Sequence, residues 1–301
     1  GTNRIREAYI KASHYIRSLH KAKVITVTGS VGKTSTKEMI EAVLRQHYKT
    51  PLISKGNNNS MFSITRNIQS LKRTTNVYLQ EVGAFAPKTI EYSARQLAAD
   101  IAVYTNIGVS HIESYGSQEA LTADKLSLST FGKPDGLAII NYDDPILMGH
   151  RFTQQVITYS LKNPQAMYYA KNILRADDGY TFTLVDRAAA EEHPAQIHVL
   201  GEHNILNAVV AFAVGKALKL PDEEILAGIA SYHPSGMRQN LLQAGKYRVF
   251  ADCYNSSLLA VDNTLKVLDE LRLPDETKRI AVLGDVLALG DLSEETHREI
   301  G

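Results

Sequence analysis

A lysine and a threonine follow a glycine-rich turn in the stretch VITVTGSVGKTSTKEM, which runs from Val24 to Met39. In such a turn, backbone N–H groups surround a phosphate, the lysine brings positive charge to the terminal phosphate, and the threonine hydroxyl can bind Mg²⁺. The common nucleotide loop, G-x-x-x-x-G-K-[ST], needs its first glycine where this chain has Val27. Gly29 lies only three residues before Gly32. The stretch is therefore a broken nucleotide loop, a chance cluster of glycines or a shorter loop with its own chemistry.

The residues on either side of the turn favour a phosphate site. Val24–Val27 is a β-branched, apolar run that predicts a buried strand. After the turn, Met39, Ile40 and Val43 recur at helical spacing and predict an amphipathic helix that starts near Thr34. A strand, a tight glycine turn and a helix together place a helix N-terminus against a phosphate. An ordinary strand-to-helix turn would need the glycines but not the Gly-Lys-Thr sequence, so we predict a site for a nucleotide phosphate.

Polar residues also stand where further strands of an open α/β sheet would end, which is where such sheets bind ligands. They are Glu81 in VYLQEVGA, Asn106 and His111 in YTNIGVSHIESYGS, Lys125 in LTADKLSL and Asn204 in GEHNILNA. Each has an ordinary interpretation when taken alone: a solvated strand end for Glu81, a loop histidine for His111, an exposed helix lysine for Lys125 and a helix cap for Asn204. Their occurrence together and in this order favours a functional site.

The elements that must position these residues alternate along the chain. Residues 3–19 predict an amphipathic helix, and strands beginning at Val77, Ile101 and Leu137 are separated by helical segments. That alternation predicts a mostly parallel sheet covered on both faces. From Val156 to Val199 short apolar runs are separated by turn signals, which predicts a small, mostly antiparallel insert.

A second α/β unit is predicted after Pro234-Ser235-Gly236, the best linker candidate. It contains a strand at Tyr247–Asp252, a helix at Leu258–Leu271, a strand at Arg279–Gly284 and a helix that opens near Ser293. The fold class is therefore α/β: a P-loop central domain with a mostly parallel sheet and a small antiparallel insert, followed by a partial Rossmann-like C-terminal domain. We divide the chain into an N-terminal helix (1–22), the central domain (23–234, insert about 155–200) and the C-terminal unit (235–301).

Composition excludes several other classes of protein. The 301 residues are 44% hydrophobic and 22% charged, as in a globular protein, and the formal net charge of +1 gives no electrostatic reason to bind nucleic acid or an acidic membrane. Cys253 is the sole cysteine, so no internal disulfide or cysteine zinc site is expected. No apolar run approaches the roughly 20 residues of a membrane span, and no signal peptide is visible. We expect a cytoplasmic protein. Because the first residue is Gly1 and not methionine, we also expect the chain to be an excised part of a longer protein.

The motifs in this order resemble those of the Mur ligases, ATP-dependent enzymes that form amide bonds and include folylpolyglutamate synthase and the ligase half of cyanophycin synthetase. The family's short loop T-G-x-x-G-K-T is matched by Thr28, Gly29, Gly32, Lys33 and Thr34, so the loop is complete in this shorter form. The MurF branch, which adds D-alanyl-D-alanine to a UDP-muramoyl tripeptide, is the most similar through TNIGVSHIESYGS, GEHNILNAVVAFAV, DCYNSS and AVLGDVLALGDLSEETH. The resemblance extends from Val24 to Gly301.

The resemblance implies roles for the residues that match. The ATP phosphates would be held by Gly29, Ser30, Val31, Gly32, Lys33, Thr34 and Ser35; Mg²⁺ would be bound by Thr34, Glu81 and His111; Lys33, Lys125 and His111 would be catalytic. Asn204 and Asn207 match positions near the adenine, and Arg238 and Asp252 match nucleotide contacts made across the gap between domains, in the same region as Tyr254 and Asn255. Lys125 matches a lysine that is carbamylated in many members, which turns an ammonium into a carboxylate-like group.

The chain departs from the MurF pattern on the acceptor side. Only one helix precedes the loop, where the branch has a domain that grips the UDP-sugar. GAFAPKTI stands in place of G-A-x-x-x-G-E-I, NNNSMFSIT lacks the usual Ile-Gly-Val-Pro, DCYNSSL replaces Tyr-Asn-Ala-Asn-Pro, and Ala288 stands where a glutamate is usual. The ATP and metal residues are retained, so nucleotide chemistry is better supported than the identity of the substrate.

The resemblance implies an ATP- and Mg²⁺-dependent ligase that forms a peptide bond through an acyl phosphate in peptidoglycan precursor synthesis. Its partners would be a small-molecule or peptide-precursor acceptor and an amine donor. The alternatives are a small-molecule kinase or NTPase, a non-catalytic or partner-dependent ATP-binding module, and a ligase with a polyglutamate or cyanophycin-type acceptor. The identity of the acceptor and the amine, and the oligomeric state, do not follow from the sequence.

Overall fold

The glycine-rich turn follows a strand that is buried along almost its whole length. The computed structural model describes residues 2–56, 58–108, 112–271, 277–287, 289–290 and 293–301. Within them the strands are β1 (Lys23–Thr28), β2 (Leu52–Ile53), β3 (Val77–Glu81), β4 (Ile101–Tyr104), β5 (Leu137–Asn141), β6 (Gln155–Ser160), β7 (Tyr168–Arg175), β8 (Tyr180–Asp186), β9 (Glu191–Ile197), β10 (Asn240–Ala244) and β11 (Tyr247–Ala251). The helices are α1 (Thr2–Ser18), α2 (Lys33–His47), α3 (Met61–Gln69), α4 (Thr89–Leu97), α5 (Ile112–Tyr115), α6 (Gln118–Thr130), α7 (Pro145–Gly149), α8 (Glu202–Ala217), α9 (Asp222–Ala230), α10 (Leu258–Glu270) and α11 (Ser293–Ile300).

Nine of these strands form one sheet in the order β2-β3-β1-β4-β5-β6-β7-β8-β9. The strands from β2 to β7 pair in parallel, whereas β7, β8 and β9 pair antiparallel. The α/β class, with its mostly parallel sheet and antiparallel part, is confirmed.

The boundary of the antiparallel part differs from the one expected. β6, which we assigned to the insert, pairs in parallel with β5, with Ile139 opposite Ile157. The connection between them contains α7, and a crossover with a helix is what a parallel pair requires. Short apolar runs indicate strands but not the direction of the strands that pair with them. The sequence therefore did not show that β6 belongs to the parallel part of the sheet, whereas β7 begins the antiparallel part.

Both faces of the parallel part are buried, which explains the apolar runs of its strands. Successive side chains of a strand point to opposite faces. Accordingly Ile25 and Val27 pack in a core with α2, α8 and α9, while Val24 packs in a second core on the other face. Helix α2 lies very close to α9: a Cβ on Gly228 would meet the Cα of Val43 at 2.4 Å, so only glycine permits this approach.

The C-terminal unit differs from the predicted strand–helix–strand order. β11 appears as predicted, but it pairs antiparallel with β10 in a hairpin. Arg279–Gly284, predicted as a strand, has no regular structure, and Ile280 and Val282 are 75% and 92% exposed. A strand needs a neighbour to satisfy its backbone groups, and no strand pairs with this segment in the described part of the chain.

An apolar contact joins α10 to the central part of the chain. A small cluster of Leu200, Val267 and Leu271 packs α10 against the segment that precedes α8. Among the described helices, none is both long and apolar enough to cross a lipid bilayer.

A buried carboxylate fastens α1 to the sheet. Asp100, which precedes β4, accepts hydrogen bonds from Val24 N at 2.9 Å, Arg17 Nη2 at 3.3 Å, Lys23 Nζ at 3.2 Å and Lys133 Nζ at 2.8 Å. Burial alone would raise the pKa of Asp100, but the hydrogen bonds from Lys133 and Val24 outweigh it, and the pKa lies below its ordinary value. Burial lowers the pKa of the Arg17 guanidinium, and the charge of Asp100 opposes that shift.

Replacing Asp100 with asparagine should lower the free energy of unfolding by about 3 kcal/mol at pH 7, because the buried guanidinium loses its counter-charge. A carboxyl group whose folded pKa is lowered stabilises the protein above its unfolded pKa of about 4, and the contribution is lost as the pH falls through the folded value. Urea unfolding should therefore show a difference between parent and variant that is constant near neutrality and shrinks below about pH 4. Asp135→Asn, at an exposed position, is the control; an equal loss in it would contradict the role of Asp100.

Candidate nucleotide-binding site

The turn after β1 needs glycine at two positions. Gly29 has φ +151°, and a Cβ there would lie 1.9 Å from Thr105 Oγ1. Gly32 has φ +84° and forms the N-cap of α2, where no side-chain cap hydrogen bond is made. The first N–H groups of α2 are thus left for a ligand, and a helix N-terminus of this kind favours an anion. The Asn106 side chain fixes the turn from the neighbouring loop, since its Oδ1 accepts from Val31 N at 3.0 Å and its Nδ2 donates to Val31 O at 3.1 Å.

The lysine of the turn folds back over the backbone. Lys33 Nζ donates to Gly29 O at 2.9 Å and to Ser30 O at 3.0 Å. Burial lowers the pKa of Lys33; the Glu81 carboxylate opposes the shift and the Arg238 guanidinium adds to it. An ammonium that is partly desolvated and close to another cation is stabilised by a nearby anion.

A hydroxyl and a carboxylate meet beside the turn. Thr34 Oγ1 donates to Glu81 Oε2 at 2.8 Å, and Asn59 Nδ2 donates to Glu81 Oε1 at 2.9 Å. Glu81 is 2% exposed, so its interpretation as a solvated strand end is wrong. Both groups offer hard oxygen atoms, which are the ligands that Mg²⁺ prefers. His111, the third predicted metal ligand, lies outside the described residues.

Lys125 is buried rather than solvated. It is 1% exposed, and its Nζ donates to Ser30 Oγ at 2.6 Å. Burial and the charge of Lys33 lower the pKa of Lys125 to about 7, while Asp144 and Asp124 oppose the shift. The interpretation as an exposed helix lysine is therefore wrong, and the amine is directed at the phosphate turn.

The two asparagines of α8 join this helix to α2 and to Gln239, which follows the linker. Asn204 is not a helix cap, because α8 begins at Glu202 with Gly201 at its N-cap. Its Nδ2 donates to Gln239 Oε1 at 2.7 Å, and its Oδ1 accepts from Asn207 Nδ2 at 3.1 Å. Asn207 Oδ1 in turn accepts from Thr36 Oγ1 at 2.8 Å. The predicted adenine-side residues are thus connected to the phosphate helix.

An arginine that follows the linker reaches the turn. Arg238 Nη2 lies 3.4 Å from Thr34 Oγ1, and its guanidinium lies over the Tyr254 ring with 3.6 Å between its Cζ and the ring centroid. Stacking of this kind holds a guanidinium in a fixed plane. Asp252 Oδ2 accepts from Thr264 Oγ1 at 2.6 Å and so ties its segment to α10.

These groups surround one cleft of about 880 Å³ between the central domain and the C-terminal unit. The predicted residues that line it are Ser30, Val31, Gly32, Lys33, Thr34, Ser35, Glu81, Asn106, Asn207, Arg238, Asp252, Tyr254 and Asn255. Gly29, Lys125 and Asn204 do not line it, but each contacts a residue that does. Residues from before and after the predicted linker therefore line the same cleft.

Sequence reasoning missed several contributors. Asn59 holds Glu81, and His203 Nε2 lies 3.2 Å from Asn204 Nδ2 and within hydrogen-bonding distance of Gln239 Nε2. Burial lowers the pKa of His203, and the hydrogen bond with Gln239 opposes that shift. His203 stood within the GEHN motif and Asn59 within NNNSMFSIT, but nothing in their spacing distinguished them from their neighbours.

Comparison with known proteins is consistent with this geometry. A family model described as the Mur ligase middle domain matches residues 27–215. The UDP-N-acetylmuramoyl-tripeptide--D-alanyl-D-alanine ligase of Bacillus subtilis (strain 168) is 32% identical over 291 residues, which are 96% of this chain and 62% of that protein. The enzyme of the same name from Escherichia coli (strain K12) is 26% identical over 300 residues, 98% of this chain and 65% of that protein.

Solved structures show the same similarity. A crystal structure of MurF from Acinetobacter baumannii has a TM-score of 0.88 and 25% identity, covering 98% of this chain and 64% of that one. The MurF ligase of Thermotoga maritima, crystallised in complex with ADP, has a TM-score of 0.85, and at 21% identity over 98% of this chain and 67% of its own it supports the fold alone. The chain thus spans somewhat under two thirds of the length of the first relatives that it matches.

Arg238→Ala should weaken ADP binding about tenfold, because it removes the hydrogen bond that we expect the guanidinium to donate to the nucleotide. A charge-assisted hydrogen bond contributes roughly 1.5–3 kcal/mol, and water replaces part of that contribution in the variant. Isothermal calorimetry with ADP measures the change. The matched control is Arg248→Ala, which removes an exposed arginine from the adjacent hairpin. Equal ADP affinity in parent and Arg238→Ala would show that Arg238 makes no contact with the nucleotide.

Proposed function

Because the chain belongs to the Mur ligase family, we propose that it uses ATP to join the carboxylate of a peptide-precursor acceptor to an amine. The amide bond forms through an acyl phosphate, which the amine attacks with release of phosphate. The names of the relatives indicate a UDP-N-acetylmuramoyl tripeptide as acceptor and D-alanyl-D-alanine as amine, so the product is a precursor of peptidoglycan. The observation that carries this proposal is the Thr34–Glu81 pair at the N-terminus of α2, facing Arg238 across the cleft.

The residues of the turn provide most of what phosphoryl transfer requires, which is positioning and compensation of charge. The N–H groups at the start of α2 hold the phosphates, and Lys33 places its ammonium against their negative charge. Arg238, fixed by stacking on Tyr254, adds a second cation from the other wall of the cleft. Closure of the C-terminal unit over the central domain excludes water, which would otherwise hydrolyse an acyl phosphate.

The residues present fit a divalent cation. Thr34 and Glu81 supply a hydroxyl and a carboxylate within 2.8 Å of each other, and Asn59 orients the carboxylate by its hydrogen bond to Oε1. A bound Mg²⁺ supplies positive charge against the oxygens of the transferred phosphoryl group. We retain His111 as a proposed further ligand because the family resemblance assigns it to the metal site.

Lys125 is proposed to act as its carbamate. A neutral amine adds to CO₂ to form N–COO⁻ with release of one proton, so carbamylation requires the unprotonated form. Burial beside Ser30 and Lys33, with a pKa lowered to about 7, supplies that form at neutral pH. The carbamate also exchanges a positive charge for a negative one beside the Lys33 ammonium, which removes the repulsion between the two groups.

The other candidate functions have less support. A kinase or a simple NTPase would need the phosphate turn but not the buried Lys125 or the Arg238 contact. A ligase for a polyglutamate or cyanophycin-type acceptor would share the whole nucleotide site, so only the substrates distinguish it. A partner-dependent ATP-binding module would bind the nucleotide without turnover.

Phosphate release from ATP, measured with a panel of acceptors and amines, tests the function. Turnover should require both a UDP-muramoyl tripeptide and D-alanyl-D-alanine. Lys33→Ala should lower kcat about 100-fold or more, the usual effect of removing one group that stabilises the transition state, while Lys49→Ala, at an exposed position just after α2, should not. Turnover with polyglutamate acceptors only, or none with any pair despite ADP binding, would favour the alternative functions.

Lys125→Ala should lose about 100-fold in kcat, and a short carboxylic acid added to the assay should restore part of it. For the parent, the neutral fraction of an amine with a pKa of about 7 falls about tenfold per pH unit on the acidic side. Stimulation of the parent by dissolved CO₂ should therefore be clear at pH 8 and weak at pH 6. The control is Lys72→Ala, at an exposed position. A fully active Lys125→Ala variant would exclude a catalytic carbamate.

A further inference from the structure

A second lysine of α2 is buried more deeply than the lysine of the turn. Lys37 lies one helical turn after Lys33 and is 1% exposed. Its Nζ donates to two backbone carbonyls, Ser54 O at 3.0 Å and Gly56 O at 3.2 Å. Burying an ammonium costs several kcal/mol, which neutral carbonyl acceptors repay only in part. An apolar side chain of the same shape would avoid that cost, so the contacts of Lys37 with this segment require an explanation.

The segment that Lys37 contacts holds the Glu81 carboxylate in place. Ser54 Oγ accepts from Glu81 N at 3.0 Å, and Asn59 Nδ2 donates to Glu81 Oε1 at 2.9 Å. Asn59 O also accepts from Gly83 N at 3.2 Å, just beyond the end of β3. The backbone and the side chain of Glu81 are thus both fixed by residues of the connection between β2 and α3.

This connection has few internal hydrogen bonds of its own. Within its described residues, the internal backbone bond is Asn58 N to Lys55 O, while Ser54 N to Leu79 O and Gly83 N to Asn59 O join the connection to β3 and the residues after it. Lys37 adds two bonds from the phosphate helix, and it does so from inside the fold, where water cannot substitute for a lost donor. One buried side chain therefore links the helix that carries Thr34 to the segment that orients Glu81.

We propose that Lys37 is a positioning residue for the divalent cation, acting through Ser54 and Asn59 on the orientation of Glu81. The inference rests on the proposed function, in which Thr34 and Glu81 bind that cation. Lys37 does not line the cleft in the described structure. Its effect on the cation is therefore exerted through the residues that it holds and not by direct contact. Its loss should weaken the binding of the cation and leave the binding of the metal-free nucleotide unchanged, since the turn itself and α8 do not depend on this contact.

The test separates the two affinities. Mn²⁺, which is paramagnetic, is titrated into the full chain saturated with ADP and followed by electron paramagnetic resonance; ADP alone is titrated in EDTA by calorimetry. Lys37→Met should raise the Kd for Mn²⁺ at least fivefold and change the Kd for metal-free ADP less than twofold. Lys37→Arg, which keeps a cationic donor, should recover most of the Mn²⁺ affinity. Lys55→Met is the matched control, because Lys55 is exposed on the same connection.

A double-mutant cycle tests the route of the effect. If Lys37 acts through the segment that carries Asn59, the losses of Mn²⁺ affinity in Lys37→Met and Asn59→Ala should be less than additive. Circular dichroism and thermal melting check that each variant folds, and Lys37→Gln, a neutral donor, replaces the methionine variant if that one does not.

The outcomes distinguish this inference from the proposed function. A parent chain that binds ADP but no Mn²⁺ contradicts the proposed metal site and, with it, the role of Lys37. A parent that binds Mn²⁺ together with a Lys37→Met variant of equal Mn²⁺ affinity overturns only the role of Lys37. Equal losses of Mn²⁺ and metal-free ADP affinity in Lys37→Met also overturn it, because they indicate general damage to the fold.

Discussion

The register of β1 between β3 and β4 is the constraint on which the candidate site depends. Val27 lies opposite Glu81 in one pair, and Thr28 lies opposite Tyr104 in the other. This register brings the end of β3 beside the start of α2, so that the Thr34 hydroxyl reaches the Glu81 carboxylate at 2.8 Å. Because side chains alternate along a strand, a slip of one residue would direct Glu81 to the other face of the sheet. The packing of both apolar faces therefore also specifies the geometry of the polar site.

Positive charge is concentrated around the phosphate turn. Lys33 and Lys125 both have lowered pKa values, chiefly because they are buried, and each also has a neighbouring cation that lowers it further. Such an arrangement is costly on its own and becomes favourable when a polyanion is bound, which is the electrostatic character expected of a triphosphate site. The repulsion among these cations does not displace the turn, because the apolar cores around α2 hold the turn in place regardless of its charge.

The parts predicted correctly from the sequence are those whose signals are local. The strand before the turn, the glycines and the helix after it each follow from a few adjacent residues. The predicted strand at Arg279–Gly284 was wrong because a strand depends on a partner that its own residues do not specify. The burial of Lys125 and the contacts of Asn59 depend on elements that are distant in the sequence, and no spacing or residue type indicated them. His111 lies in a segment that the structure does not describe, so its role stays a prediction.

The close contact between α2 and α9 has a mechanical consequence. With Gly228 against the backbone of Val43, and with α8 packed on the same side, α2 has no room to tilt or slide without breaking the core. The linker is packed less closely: a side chain on Gly236 would meet no atom within 4 Å, and Ser235 donates to Glu38 of α2. The phosphate-binding turn is therefore held by a tightly packed helix, whereas Arg238 follows a segment with open space around Gly236. The two walls of the cleft are thus anchored to different degrees.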